Sequence, residues 1–215
     1  DGFGGAAFSF VGFSLAASTL AACNDRSNVC VPQLGTTQTL DTFGDRHMYR
    51  LVYRNFGTFD ALLFTQAVDT TAGGTQAAQL RWWEIRNPNA NPPVVFQNSN
   101  YTPDATNRWM SSAAFDKLGN ILIGYSASSA AINPGIRLAG RRRTDPKNLL
   151  RTEAVVQNGT GSQTGALDRW GDYSTMQIDP ADDCTFWYTN QYVGVNGSFN
   201  WRTRIASFKF PNCVP

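Results

Sequence analysis

An all-β fold is predicted by three features of this 215-residue chain: a strand-built unit occurring three times, glycine and proline punctuation throughout, and no helical period of useful length. The units open with the lead motifs Asp45-Arg46-His47-Met48, Asn107-Arg108-Trp109-Met110 and Asp168-Arg169-Trp170-Gly171. Each lead motif has Asp or Asn, then Arg, then a large ring, and runs into β-type stretches separated by polar turns. Their arginines are 62 and 61 residues apart, a period that suits a β-propeller blade or a similar four-stranded unit. With 19 Gly, 10 Pro and only two glutamates, Glu84 and Glu153, the composition favours strands and tight turns over long helices.

A hydrophobic content of 42% with 13% aromatics is enough to bury one sizeable β core, so residues 1–215 read as a single domain. The net charge of +2 indicates no nucleic-acid partner, and Arg141-Arg142-Arg143 reads as a solvated strand end. Four cysteines without Cys-x-x-Cys spacing, beside a single histidine, argue for two disulfides, Cys23–Cys30 and Cys184–Cys213. Disulfides imply a secreted protein, extracellular or at the cell surface. The chain begins at Asp1 without Met, so an upstream segment is expected to have been removed. Leu20-Ala21-Ala22-Cys23 imitates a lipoprotein signal, but no basic segment precedes it, and Phe8/Phe10 and Phe13/Leu15 are spaced as in a bulged strand. Apart from the apolar stretch Phe3 to Ala22 that leads into this signal-like box, no run is long and apolar enough to span a membrane.

Residues 1–44 read as an N-terminal strand followed by a small cysteine-closed loop. In the first unit, 45–106, strands are expected at 48–55, 61–68, 79–86 and 94–98, with Gly73-Gly74 and Pro92-Pro93 as punctuation. The second, 107–167, places strands at 109–115, 121–128, 136–142 and 152–157, the first two joined by the turn Asp116-Lys117-Leu118-Gly119-Asn120. The third, 168–215, supplies three strands, 173–178, 184–192 and 201–210. A fourth position is therefore expected to be filled by residues near 3–15, in the same molecule or in a neighbour.

A second set of arginines repeats as well. Arg81, Arg137 and Arg204 follow the lead-motif arginines by 35, 29 and 35 residues. Together with Arg46, Arg108 and Arg169 they have two readings. They pair with Asp45, Asp116, Asp168, Asp172 and Asp179 between adjacent units, or some converge on an anionic ligand near the axis. Repeated positions usually serve the architecture that repeats, which favours pairing.

Arg169-Trp170-Gly171-Asp172-Tyr173-Ser174, Ile178-Asp179-Pro180, Asp183-Cys184-Thr185-Phe186-Trp187-Tyr188-Thr189 and Trp201-Arg202-Thr203-Arg204-Ile205 resemble the end of a group of secreted bacterial proteins with sialidase-like (BNR/Asp-box-like) β-propeller regions. Tyr49-Arg50-Leu51-Val52-Tyr53, Arg81-Trp82-Trp83-Glu84 and Gly124-Tyr125-Ser126 extend the similarity to about residues 35–213. The resemblance implies the last three blades or so of a longer propeller, whose missing N-terminal portion, or another copy of the chain, is the expected partner. Two departures stand out. Thr58-Phe59-Asp60-Ala61-Leu62 lacks the histidines of the family pattern, and the Asp-box hairpin is only approximated at 115–119 and 182–187.

A sialidase-type site needs an arginine cluster, a Tyr nucleophile assisted by a Glu, and an acid/base Asp. Tyr173, Asp172 and Glu84 are the candidates by residue type, with Arg46, Arg108 and Arg169 for the cluster. Both glutamates sit in or beside strands and no Arg-Ile-Pro element occurs, so the favoured reading is a non-catalytic binding or assembly module without a cofactor. His47 stands in the slot of Trp109 and Trp170 and reads as a packing residue. Asp179, Asp182 and Asp183 offer oxygen ligands of the kind Ca²⁺ takes, without the alternating spacing of a known calcium loop. Trp82, Trp83, Trp109, Trp170, Trp187 and Trp201 either fill the space between blades or, if exposed, form a platform for glycans.

Overall fold

The computed structural model describes residues 20–23, 29–70 and 77–214. The stretch read as an N-terminal strand, residues 3–15, and the Gly73-Gly74 turn lie outside the described residues. Among the described residues every regular element is a strand, and no helix is long and apolar enough to cross a membrane.

The chain begins with β1 (Leu20–Ala21) and a hairpin of β2 (Val29–Gln33) and β3 (Thr36–Asp41). The first repeat folds into β4 (Val52–Asn55), β5 (Asp60–Asp69), β6 (Gln79–Arg86) and β7 (Val94–Tyr101), an antiparallel meander. β1 and β4 lie along the same edge of β5, pairing Ala21 with Val68 and Val52 with Leu63, and a bridge between His47 and Gln66 fills the space between them. The second repeat gives β8 (Asn107–Phe115), β9 (Ile121–Ser129), β10 (Ile132–Arg141) and β11 (Ala154–Gln157). The third gives β12 (Thr175–Ile178), β13 (Thr185–Val193) and β14 (Trp201–Lys209), in the order β12-β13-β14.

The second sheet is packed between the first and the third, and its sequence reflects this. β8 is buried at every position, because side chains on both pleat faces meet protein. On one face, Ile121, Ile123 and Tyr125 pack with Leu63, Leu80 and Trp82 of the first sheet. On the other, Leu122, Ile136 and Leu138 pack with Met176, Phe186 and Tyr188 of the third. Gly124 lies on this second face, where the Tyr188 ring occupies the space that a Cβ would need. A central cluster joins Trp109 and Trp170, rings 5.6 Å apart, to Val31, Leu40, Met48 and Val193. Burying a large apolar side chain of this kind is worth about 1.5–3 kcal/mol.

The turns close as the sequence suggests. Asp116 Oδ1 accepts from the amides of Leu118 and Asn120, both at 2.9 Å, and Gly119 takes the left-handed conformation at φ +81°. Both disulfides form as paired, with Cα separations of 5.4 Å for Cys23–Cys30 and 5.6 Å for Cys184–Cys213. Cys23 is thereby committed to Cys30, and the lipoprotein-like box around it ends in a cystine.

Strand ends shift by up to four residues from the sequence reading, as in β7, β10 and β12, and two differences concern whole segments. The strand expected over 48–55 forms only at Val52–Asn55; ahead of it the chain bonds β5 at single points, through the Met48 amide to Thr65 O and the His47–Gln66 bridge. The β2–β3 hairpin forms where the sequence reads as loop. β3 opens with Thr and Gln, and of the hairpin's apolar residues only Val31 and Leu40 reach the core, too few to show an alternating apolar pattern.

Candidate functional site

The lead motifs of the first and third repeats meet at the end of β3. The Asp41 amide donates to Asp168 O at 2.9 Å, and Asp41 Oδ1 accepts from the Trp170 amide at 2.8 Å, so the hairpin holds the third lead motif in place. Arg169 then lies between two carboxylates, hydrogen-bonded to Asp172 and 3.7 Å from Asp41. Burial pushes the Asp41 carboxyl up to about 6, against the lowering effect of the Trp170 amide and the Arg169 charge. Phe43 sits beneath both lead motifs: the guanidinium carbons of Arg46 and Arg169 are 4.9 and 5.0 Å from its ring centre. Arg46 also pairs with Asp45 at 2.9 Å, and the Tyr173 ring is 6.1 Å from that of Tyr49.

Beside this corner a cavity of about 250 Å³ opens between the third lead motif and the outward face of the third sheet. Arg169, Gly171 and Asp172 form one wall, with Gln191, Phe199 and Trp201 opposite. Gly171 lets the Gln191 carboxamide lie against the backbone, and a Cβ there would push that flexible side-chain end aside. A second cavity of about 410 Å³ lies on the other side of Phe199 and Trp201, lined by Val195, Asn200 and Arg202. The two rings are edge to face at 5.5 Å and form a ridge between the cavities. Of the six tryptophans, Trp82, Trp83, Trp109 and Trp170 are buried, whereas Trp187 and Trp201 are 43% and 44% exposed. The structure thus divides the expected aromatic platform into four core rings and two surface rings.

The other candidate residues are placed elsewhere. Arg108 is fully buried and turned towards Glu153 and Asp104, at 2.9 and 3.0 Å, with Thr106 O at 2.7 Å. Glu153 also accepts from Tyr125 at 2.9 Å, and burial, then the Glu153 charge, raises the Tyr125 phenol. Arg81 bonds Asn98 at 3.2 Å and lies over Trp83, while Arg137 bonds Asn158 at 2.9 Å; burial lowers both guanidinium pKa values. Arg204 is exposed on β14 opposite Asn190. The six repeated arginines therefore occupy separate environments, and only Arg46 and Arg169 share one. An ionic link from the first repeat to the third is made by a residue outside both registers: Arg54 of β4 bonds Asp183 of the third repeat and the Phe115 carbonyl of the second.

Glu84 is buried in β6, where it accepts from Arg86 Nε at 2.6 Å and from Gln97. Tyr173, by contrast, is exposed beside Tyr49. His47 lies edge-on to Phe64 and Trp83, at 4.9 and 5.6 Å, and this partial burial lowers its pKa. The three clustered aspartates are each committed to the turn and its neighbours. Asp179 accepts from the Ala181 amide and Trp187 Nε1, and Asp182 from the Cys184 and Thr185 amides and Lys209, which together hold the Asp182 carboxyl low. Asp183 pairs with Arg54, and among the described residues no cluster of metal-ligating side chains forms.

Asp41, Phe43, Arg54, Gln191 and Phe199 were not singled out by the sequence. All but Arg54 gather around the third lead motif, which the repeat itself did mark. The chain matches no protein-family model, and no curated protein or solved structure was found to be similar to it.

Proposed function

We propose that the three repeats are successive blades of a secreted propeller-type module that works by association rather than by bond chemistry. The observation that carries this reading is β14, a nine-residue strand whose outer edge is unpaired among the described residues. It pairs with β13 from Thr185↔Lys209 to Val193↔Trp201 without a register shift, so no bulge blunts the edge. Exposed Ile205 (69%) lies along it. A long, regular and partly apolar edge is a template for an added strand.

The occupant in this reading is the apolar stretch 3–15 of a second copy. Its Phe8/Phe10 and Phe13/Leu15 spacing suits a strand, and head-to-tail addition of this kind propagates into chains unless the rotation closes a ring. Two cystines support an oxidising, extracellular setting. The sialidase alternative lacks comparable support, because Glu84 is engaged by Arg86 and Gln97, and Glu153 is bonded to Arg108 and to Tyr125, a fully buried phenol out of reach of a substrate. Sedimentation velocity of the full chain and of a form lacking residues 1–15 tests the proposal. Concentration-dependent association of the full chain that the deletion abolishes supports it; monomers in both cases reject it.

A further inference from the structure

We infer that the ridge of Phe199 and Trp201, with the cavities on either side, is a binding site for a neutral oligosaccharide. The site lies on the face of the third sheet, while the assembly proposed above uses its edge, so either can hold without the other.

The shape of the ridge suits a chain of rings. Phe199 (65% exposed) and Trp201 present adjoining aromatic surface to solvent, and a contiguous apolar patch beside cavities marks a contact surface where a lone exposed ring does not. Cavities of about 250 and 410 Å³ flank them, so a ligand lying across the ridge enters both. The C–H face of a pyranose packs on an indole face, and its hydroxyls then need donors and acceptors at the ring's edge. Gln191 supplies both, and the Arg169–Asp172 pair offers guanidinium N–H groups beside carboxylate oxygens.

Charge selects among possible ligands. Arg169 is already matched by Asp172, with Asp41 3.7 Å away, so the first cavity carries no spare cation to hold an anion. An anionic sugar would compete with Asp172 for Arg169, whereas a neutral polyol accepts hydrogen bonds from one member and donates to the other. The second cavity is lined by Asn200 and by Arg202, which makes no ion pair among the described residues, so the discrimination against anions rests on the first cavity. The ring pair is positioned by the fold, since Trp201 opens β14 opposite Val193, a core residue packed with Trp170.

The test uses the intact chain, titrated with cellohexaose, xylohexaose, mannohexaose and chitohexaose, with the hexamer of galacturonic acid as the charged comparison. Tryptophan fluorescence and calorimetry report binding. The inference predicts saturable binding of at least one neutral hexaose, weakened about tenfold or more by Trp201→Ala and by Phe199→Ala and changed less than about twofold by Trp187→Ala, whose indole lies at the far end of β13. Phe199 is in an exposed turn, so that variant separates loss of the site from loss of the fold. Failure of every neutral hexaose to bind, stronger binding of the charged hexamer, or binding indifferent to both ridge substitutions would overturn it.

Discussion

Arg54 Nη1 donates to Asp183 Oδ1 at 2.8 Å, and its second terminal nitrogen bonds the other carboxylate oxygen, so a residue at the start of the first repeat grips a turn of the third. The same guanidinium reaches the Phe115 carbonyl of the second repeat at 3.3 Å. One side chain thus ties all three repeats at this corner, as the central cluster of Ala67, Trp109 and Val193 does in the core.

Arg54→Ala is therefore expected to lower stability by about 1–3 kcal/mol in urea unfolding. Asp183→Asn should cost less, since that carboxylate is 41% exposed and water screens the pair. Equal stability of Arg54→Ala and the parent chain would remove the corner from the account.

Asp41 sets a pH dependence of unusual sign. Its folded-state pKa of about 6 lies above the ordinary 3.8, so the folded chain holds a proton that the unfolded chain releases between these values. Its contribution is complete below about pH 4 and is lost as pH rises through about 6, an effect on the order of 3 kcal/mol at most. Asp145, held down to about 2 by Arg151, acts oppositely and loses its contribution as pH falls from about 4 towards 2. Melting temperatures of the parent and of Asp41→Asn across pH 3–8 check this: the variant should lose the decline between about 4 and 6. An unchanged slope would place its origin elsewhere.

Gly124→Ala is expected to destabilise by about 1–3 kcal/mol, because the added methyl meets the Tyr188 ring in a close-packed interface between the second and third sheets. Adding Tyr188→Leu should recover part of the loss. A Gly124→Ala protein as stable as the parent would show that the two sheets are not in direct contact there.

The disulfides should differ in value. Cys184–Cys213 closes a loop of 29 residues and Cys23–Cys30 one of 7, so chain entropy assigns about 3–4 kcal/mol to the first and about 2 to the second. Unfolding of the paired Cys→Ser variants measures both. A larger loss from the short loop would show that Cys23–Cys30 acts through native packing around Ala22 and Val31.

The sheets were legible where burial leaves a pattern in the chain. Strands β5, β6, β9 and β13 stand out because apolar and aromatic residues recur between clear turns, and the Asp116 turn names itself through Gly119 and Asn120. The β2–β3 hairpin was hidden because it contributes two apolar side chains and otherwise presents Thr and Gln. Exposure of the aromatics was not legible either: Trp82 and Trp201 look alike in sequence, and only the position of each sheet in the packing order makes one core and the other surface. The repeated arginines were expected to pair between adjacent units; Arg46 and Arg169 pair with Asp45 and Asp172 of their own lead motifs, and further partners come from distant parts of the chain. Arg169 finds Asp41 across 128 residues, and Arg108 finds Glu153 across 45.

The reading of the chain as an assembling module rests on β14 gaining a partner strand. Amide hydrogen exchange of residues 201–209, followed as protein concentration is raised from well below to well above the association midpoint, tests that pairing directly. Protection should rise along β14 with concentration and stay low in the form lacking residues 1–15. Exchange that is the same at every concentration would contradict the account.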